Sequence, residues 1–351
     1  MPTVTGERRA THQALQFVAA FLQRRGMHVA WHEFDGYESL VATTRPTKTP
    51  EVFLYAHIDV IPAPRAQFTL TKKAGAYHGR GVYDMKVALA AYLQLVDDVQ
   101  ANLARHNFGI ILTSDEELGG KDGINGFEKL LAAGYRAKMY VMPDGAHDWQ
   151  LETSSKGYLH YTLSAAGKAA HGSRPWEGNN ALHKIMDTLH DLRAQFAAQG
   201  PATDTLNIGA VHGGERPNRV PASASAEIEL RVARRGGRAR LERLVRQACR
   251  AHGVRCEARA YIAPIRRSLR NPYLKKFARA IEEETGIAVA GAASLGGSDA
   301  RFLAPLGIPA AVFYPRGGGH HSDNEWLQAE DLAAMHAVIK RFILHLANAR
   351  G

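Results

Sequence analysis

Short, almost continuous apolar runs separated by stretches of helical period constrain this chain's fold more than any other feature. "EVFLYAH" (51–57), "NFGIILTS" (107–114) and "AKMYVMP" (137–143) have the composition of strands buried on both faces, which is the mark of a mostly parallel sheet. "THQALQFVAAFLQRR", "MKVALAAYLQLVDDVQANLAR" (85–105) and "GINGFEKLLAAG" (123–134) repeat apolar residues at helical spacing. An α/β domain with helices on both faces of its sheet is expected.

From about residue 157 the rhythm changes. "YLHYTLSAAG" alternates like a strand, 181–196 is helical, "TLNIGAVHGG" and "SASAEIELRVAR" read as strands, 238–253 is helical and 254–263 is a last strand. This β-α-β-β-α-β order is that of a ferredoxin-like α+β module with an antiparallel sheet. The first rhythm then returns, with a helix over 272–286, a strand over 309–315 and a terminal helix over 329–349. Residues 1–156 and 265–351 are therefore expected to form one domain and 157–264 a second, inserted domain with a hinge at its two junctions. A chain of 351 residues is also longer than one core usually serves.

A formal charge of +10 raises the question of nucleic acid, but the basic residues are dispersed apart from "RVARRGGRARLERLVR" (231–246), and no nucleic-acid motif accompanies them. A solvated helix face or attraction for anionic substrates is the expected meaning, with no nucleic-acid partner. Cys249 and Cys256 match no metal-binding cysteine spacing and read as reduced thiols, hence a cytoplasmic location. The N-terminal segment carries arginines on both sides of an amphipathic stretch, so neither a signal peptide nor a membrane contact is expected.

Ligands in open α/β sheets bind beyond the carboxyl ends of the strands. There "FLYAHID" delivers His57 and Asp59, "IILTSDEE" Glu116 and Glu117, "YVMPD" Asp144, and "VFYPRGGGHHSDNE" His320 and His321. Asp84 follows "HGRGVYDMK", where Gly79 and Gly81 allow a tight approach. Singly each has a plain alternative: His57 as a hydrogen-bonded core histidine, Asp84 as a helix N-cap, Asp144 as a turn residue. Their coincidence at successive strand ends points to a site.

Charge arithmetic favours two divalent ions. The carboxylates of Asp84, Glu117 and Asp144 cancel three of four positive charges and leave one for a bridging hydroxide. Imidazole and carboxylate ligands without cysteine suit Zn²⁺, with Co²⁺ or Mn²⁺ as alternatives, and a bridging Asp84 would hold the ions about 3.5–4 Å apart. Glu116 is then the surplus carboxylate, placed to act as general base. Asp59, two residues after His57, is expected to accept the imidazole N–H through its carboxylate and fix the ring.

"HID", "GRGVYDMK", "SDEE", the acidic residue after the next strand and "HHSDNE" together resemble the aminoacylase/carboxypeptidase family of co-catalytic two-zinc metallohydrolases, which includes desuccinylases, deacetylases, carboxypeptidases and dipeptidases. The likeness covers nearly the whole chain. It implies that His57 and Asp144 hold one metal, Glu117 and His321 the other, and Asp84 both. His321 is chosen over His320 because Glu325 stands four residues after it, as in the family pattern. The family often has a cis peptide after the bridging aspartate, here Asp84–Met85.

The resemblance also implies a lid and dimerisation role for the inserted domain, hence a homodimer. "GKAAHGSRPWEGNNAL" (167–182) makes His171 a candidate for stabilising the oxyanion, often in the partner subunit's site. "GGERPNRVP", "ELR" and "GGSDARF" suggest that Asn218, Arg231 and Arg301 contact substrate, although Arg231 could simply pair with an acid across the sheet. The activity implied is metal-dependent hydrolysis of the amide or peptide bond of an N-acyl amino acid or short peptide with a free carboxylate. Desuccinylases and deacetylases of the family usually have glutamate where this chain has Asp144, which leans toward a peptidase. A two-metal phosphoesterase and a non-catalytic metal-binding interaction protein are the alternatives from other classes.

Overall fold

The computed structural model describes residues 1–118, 125–196, 198–234, 236–294 and 296–348. The first two residues of the helix expected over 123–134, and the last of that expected over 329–349, lie outside these ranges. The chain divides into two compact units. One takes in Met1–Thr153, Arg267–Ser294 and the chain from Ser298 onward; the other is Ser154–Arg266, with Gly296 and Gly297.

The first unit opens with α1 (Arg8–Arg24), β1 (His28–Phe34), β2 (Tyr37–Thr43), β3 (Val52–His57), β4 (Thr71–Lys73), β5 (Ala76–His78) and α2 (Lys86–Val99). It continues through β6 (Phe108–Thr113), α3 (Gly126–Ala132), β7 (Met139–Met142) and the start of β8 (Leu151–Ser155). The second unit holds β9 (Gly157–Ala166), α4 (Ala181–Gln195), β10 (Thr205–Gly213), β11 (Ser223–Val232), α5 (Gly237–Ala251), β12 (Arg255–Ile262) and β13 (Ile265–Arg266). Back in the first unit come α6 (Pro272–Thr285), β14 (Gly291–Ser294), β15 (Ala310–Val312), β16 (Gly317–Gly318), β17 (Trp326–Gln328) and α7 (Ala329–Asn348).

The main sheet of the first unit has the order β1-β2-β6-β3-β7-β15. β6, β3, β7 and β15 run parallel, and every residue of these four is buried, so both faces of this part are covered. Parallel pairing levels the strand ends, with His57 opposite Thr113 and Val312 opposite Met142. The antiparallel hairpin of β1 and β2 extends one edge. It turns at Asp35 and Gly36, both at positive φ (53° and 83°), the geometry that makes Asp-Gly a two-residue hairpin loop.

The long helix expected over 85–105 is shorter. α2 ends at Val99, and the chain continues as a 3₁₀ segment to Arg105 because Asn102 leaves helical geometry at φ −129°, ψ 27°. Asn125 caps α3 by accepting from the Glu128 N–H at 2.9 Å. Among the described residues no helix is long and apolar enough to cross a membrane.

The second unit has the ferredoxin-like order, with an antiparallel sheet β10-β11-β9-β12. β9 alternates between buried and half-buried residues, and Leu159, Tyr161 and Leu163 share a core with Ile185 and Leu192 of α4 and Leu241 and Val245 of α5. Two helices thus cover one face of a sheet whose other face carries polar residues such as His160, Thr162 and Glu227.

Candidate metal centre

Beyond the levelled ends of β3, β6 and β7 the chain delivers its polar groups into one place. His57, the last residue of β3, is buried; its Nε2 lies 3.1 Å from Asp84 Oδ1. Asp84 follows a turn carrying Gly79 at φ 153° and Gly81 at φ 83°, and its peptide to Met85 is cis. The N-cap of α2 is Met85, with no side-chain cap, so Asp84 does not serve that helix. Its second oxygen meets His321 Nε2 at 3.3 Å, and the same imidazole nitrogen is 3.0 Å from Glu117 Oε2.

Glu116 and Glu117 begin a 3₁₀ turn after β6. Ligand atoms of His57, Asp84 and Glu117 lie within 4.8 Å of one another, as do those of His57, Glu116 and Asp144. The side chains of His57, Asp84, Glu116, Glu117, Asp144 and His321 therefore form one continuous cluster. Among the described residues His320 takes no part in its ion pairs. Its ring packs on Tyr83 and Tyr314, with centroids 6.0 Å away, and on His147 at 5.6 Å.

Asp59 departs from its expected contact. His57 Nδ1 faces the backbone carbonyl of Asp59 at 3.0 Å, and the carboxylate only at 3.5 Å. The carboxylate is drawn elsewhere, its Oδ2 accepting from Thr5 Oγ1 at 3.0 Å and from the Glu117 N–H at 3.1 Å. Asp59 thus orients the imidazole through its main chain and steadies Glu117 through its side chain.

Two groups absent from the sequence-based set join the cluster. Tyr314 donates toward Asp84 Oδ1 and Asp144 Oδ1, each at 2.9 Å. Asp299, fully buried, accepts from Tyr55 Oη at 2.6 Å and Asn125 Nδ2 at 2.8 Å. Arg301, the expected substrate contact from the same loop, is itself buried, with Nη2 3.5 Å from Asp299 Oδ1 and its guanidinium over the Phe302 ring. A tyrosine closing an apolar strand and an aspartate beside glycines carry no distinguishing sequence signal.

The other expected substrate residues belong to the second unit. His171 is exposed and hydrogen-bonds Ser173 Oγ at 2.8 Å; the N–H of Gly172 donates to the Asn218 carbonyl at 2.7 Å, which brings His171 and Asn218 near one another. Arg231 donates from Nε to Glu229 Oε1 at 2.5 Å, an acid two residues away on its own strand rather than across the sheet, and lies 5.1 Å from the Tyr158 ring.

Electrostatics show what the cluster lacks. Burial pushes the Asp144 carboxyl up to about 7, with the Asp84 charge adding to it. Burial raises Glu116 well above the usual carboxylate range, and the charges of Asp144, Asp299 and Glu117 act in the same direction. His321 is pushed up to about 10 by hydrogen bonds to Asp84 and then Glu117. Burial alone would lower His57, yet hydrogen bonds to Asp59 and Asp84 carry it well above the usual histidine value. Protons on the imidazoles thus act as counter-charges for crowded carboxylates. Among the described residues Asp144 Oδ2 and Asp59 Oδ1 are buried with no hydrogen-bond partner, an arrangement that costs about 1–3 kcal/mol per group. A donor set of carboxylates and imidazoles, over-rich in negative charge and with an unsatisfied ligand oxygen, fits divalent cations.

Fold and site together define a metal-dependent hydrolase of the α/β class. The profile of peptidase family M20/M25/M40 matches residues 53–345, and the chain belongs to that family. It is 28% identical to a succinyl-diaminopimelate desuccinylase of Stenotrophomonas maltophilia, over 98% of this chain and 96% of that one. A tripeptidase of Staphylococcus aureus shares its fold at a TM-score of 0.76 and 21% identity, covering 95% of this chain and 92% of the other. An M20 family metallo-carboxypeptidase of Sulfolobus solfataricus does so at 0.78 and 16% identity, covering 97% and 95%.

Proposed function

We propose that the protein hydrolyses the amide or peptide bond of an N-acyl amino acid or short peptide bearing a free carboxylate, using two divalent cations, with Zn²⁺ as the native pair. The observation that carries this reading is the convergence of His57, Asp84, Glu117, Asp144 and His321 beside a surplus carboxylate, Glu116. His57 and Asp144 would hold one cation, Glu117 and His321 the other, and Asp84 both. Bound there, the cations would polarise the substrate carbonyl and make water acidic enough to attack near neutral pH.

The chain's own groups do the rest. Glu116 takes the proton from the attacking water and returns it to the leaving nitrogen, a role that its place beside His57 and Asp144 allows. Tyr314 and the main chain of Asp59 hold Asp84, Asp144 and His57 in place. The family likeness further assigns oxyanion stabilisation to His171, substrate contacts to Asn218, Arg231 and Arg301, and homodimerisation to the second unit. A monomer in sedimentation velocity would remove the dimer from this reading.

The sequence relative named above is a desuccinylase, whereas the two solved structures named above are a tripeptidase and a metallo-carboxypeptidase. Asp144, where desuccinylases and deacetylases usually carry glutamate, tips the choice toward a dipeptide or short peptide. Zinc- and cobalt-loaded protein should be assayed against dipeptides, tripeptides, and N-acetyl and N-succinyl amino acids. Turnover of peptides above that of acyl amino acids is the expected result; hydrolysis of none of them overturns the reading.

A further inference from the structure

Glu325 is buried, 2% exposed, and reached by four donors. Its Oε1 accepts from the N–H groups of Tyr83 at 2.9 Å and Asp84 at 3.1 Å; its Oε2 accepts from the Gly81 N–H at 2.9 Å and Arg80 Nη1 at 2.6 Å. All four donors belong to the turn 80–84, which ends in Asp84. The other end of the Arg80 guanidinium donates from Nη2 to the carbonyl of Ser322, the residue after His321, at 2.9 Å. The Gly79 N–H also meets the Glu325 carbonyl at 3.3 Å, and Trp326 of β17 pairs with His78 of β5.

One carboxylate thus ties together two segments more than 200 residues apart in sequence, each carrying a group of the cluster. A buried carboxylate is costly unless its lone pairs are filled, and here N–H groups and a guanidinium fill them. The donors can converge only because the turn passes close to its surroundings: a β-carbon on Gly81 would lie 2.9 Å from Val60 Cγ1, and the residue's φ is 83°. Breaking this clamp frees the Asp84 backbone N–H and the Ser322 carbonyl together. The consequence is a change in how Asp84 and His321 face one another.

We propose that Glu325 is a positioning residue of the metal centre, holding Asp84 and His321 in the mutual placement in which they would share one cation of the pair. The proposal rests on the two-cation reading above. It requires no contact between Glu325 and a cation or a substrate.

The test titrates metal-free wild-type, Glu325→Gln and Arg80→Gln protein with Co²⁺, following the visible absorption of the bound ion, with far-UV circular dichroism as the check on folding. Gln keeps one acceptor oxygen but turns an amide NH₂ toward backbone donors. Arg80→Gln leaves the carboxylate and its three main-chain donors, and removes its guanidinium partner together with the link to the Ser322 carbonyl. In folded Glu325→Gln the Co²⁺ affinity is expected to fall about 10–100-fold with an altered absorption band, and in Arg80→Gln by a smaller factor. Folded variants that bind Co²⁺ with wild-type affinity and spectrum overturn the positioning role; if Glu325→Gln does not fold, the Arg80→Gln result alone decides. Wild-type protein that takes up fewer than two equivalents overturns the two-cation reading and this proposal with it.

Discussion

Glu116 and Glu117 are neighbours with different surroundings. Glu117 is held by an imidazole and, through its N–H, by Asp59, whereas Glu116 is fenced by Asp144 and Asp299. Replacing Glu116 by Gln removes the proposed proton acceptor and keeps the shape, so kcat is expected to fall by about 10²–10⁴-fold while two equivalents of metal are retained in elemental analysis. A variant with near-wild-type turnover would disprove the base. The crowded charges also give the metal-free protein a pH dependence. His321, raised to about 10, contributes stability that is complete below its unfolded value near 6.5 and is lost as pH rises toward 10. Asp144, raised to about 7, acts in the same direction, opposing folding increasingly as pH rises from about 4 to 7. Thermal unfolding of chelator-treated protein should therefore fall from about pH 6 to about pH 9, and cation loading should cancel the fall, because binding needs the deprotonated ligands. A flat metal-free profile would contradict this charge assignment. At this scale the sequence singled out His57, Asp84 and the paired glutamates by residue type, and the structure brings their side chains together. The sequence hid Tyr314, which looks like any tyrosine ending an apolar strand, and it could not say that Arg231 would find Glu229.

Elements were legible where burial writes itself into composition. β3, β6 and β7 lie inside the apolar runs because strands covered on both faces tolerate few polar residues. β1 and β2 escaped because β1 is an edge strand that stays partly exposed and reads "HVAWHEF", although the Asp35-Gly36 turn was a usable hairpin signal. The short strands β16 and β17, which help bring His321 and Glu325 to the site, have two and three residues and leave no periodicity to detect. The tightest constraint within the sheet is Gly109 of β6, which pairs with Phe53 on one side and Thr43 on the other. A β-carbon there would come within 2.4 Å of Phe53 Cε1 and 3.0 Å of Thr43 Cγ2. Gly109→Ala is expected to cost about 1–3 kcal/mol in urea unfolding, since the ring has no free volume to enter. Gly109 sits near the start of β6 and the glutamates lie beyond its end, so the loss should appear in stability with metal stoichiometry kept.

On the scale of the whole molecule, two cores are built from two periods. Helical period around parallel apolar runs makes one, and period-2 alternation under two helices makes the other, so the two cores differ in sequence rhythm as well as in contacts. Charge has a different distribution from burial. The chain carries a formal +10, yet the metal centre gathers carboxylates with only imidazoles as ionic partners of Asp84 and Glu117 among the described residues. A substrate with a free carboxylate would meet a repulsive cluster in the metal-free protein and an attractive field once cations offset those charges. Long-range attraction of this kind acts on encounter and is screened by salt, while a bound substrate inside the site is screened far less. Raising ionic strength from about 0.01 M to about 1 M should therefore lower kcat/KM for the carboxylate substrate and leave kcat nearly unchanged. The same substrate with its carboxylate converted to a neutral amide should lose most of that dependence. Equal salt sensitivity of the two would mean that the basic surplus serves something other than substrate capture, because nothing but the substrate's charge distinguishes the pair.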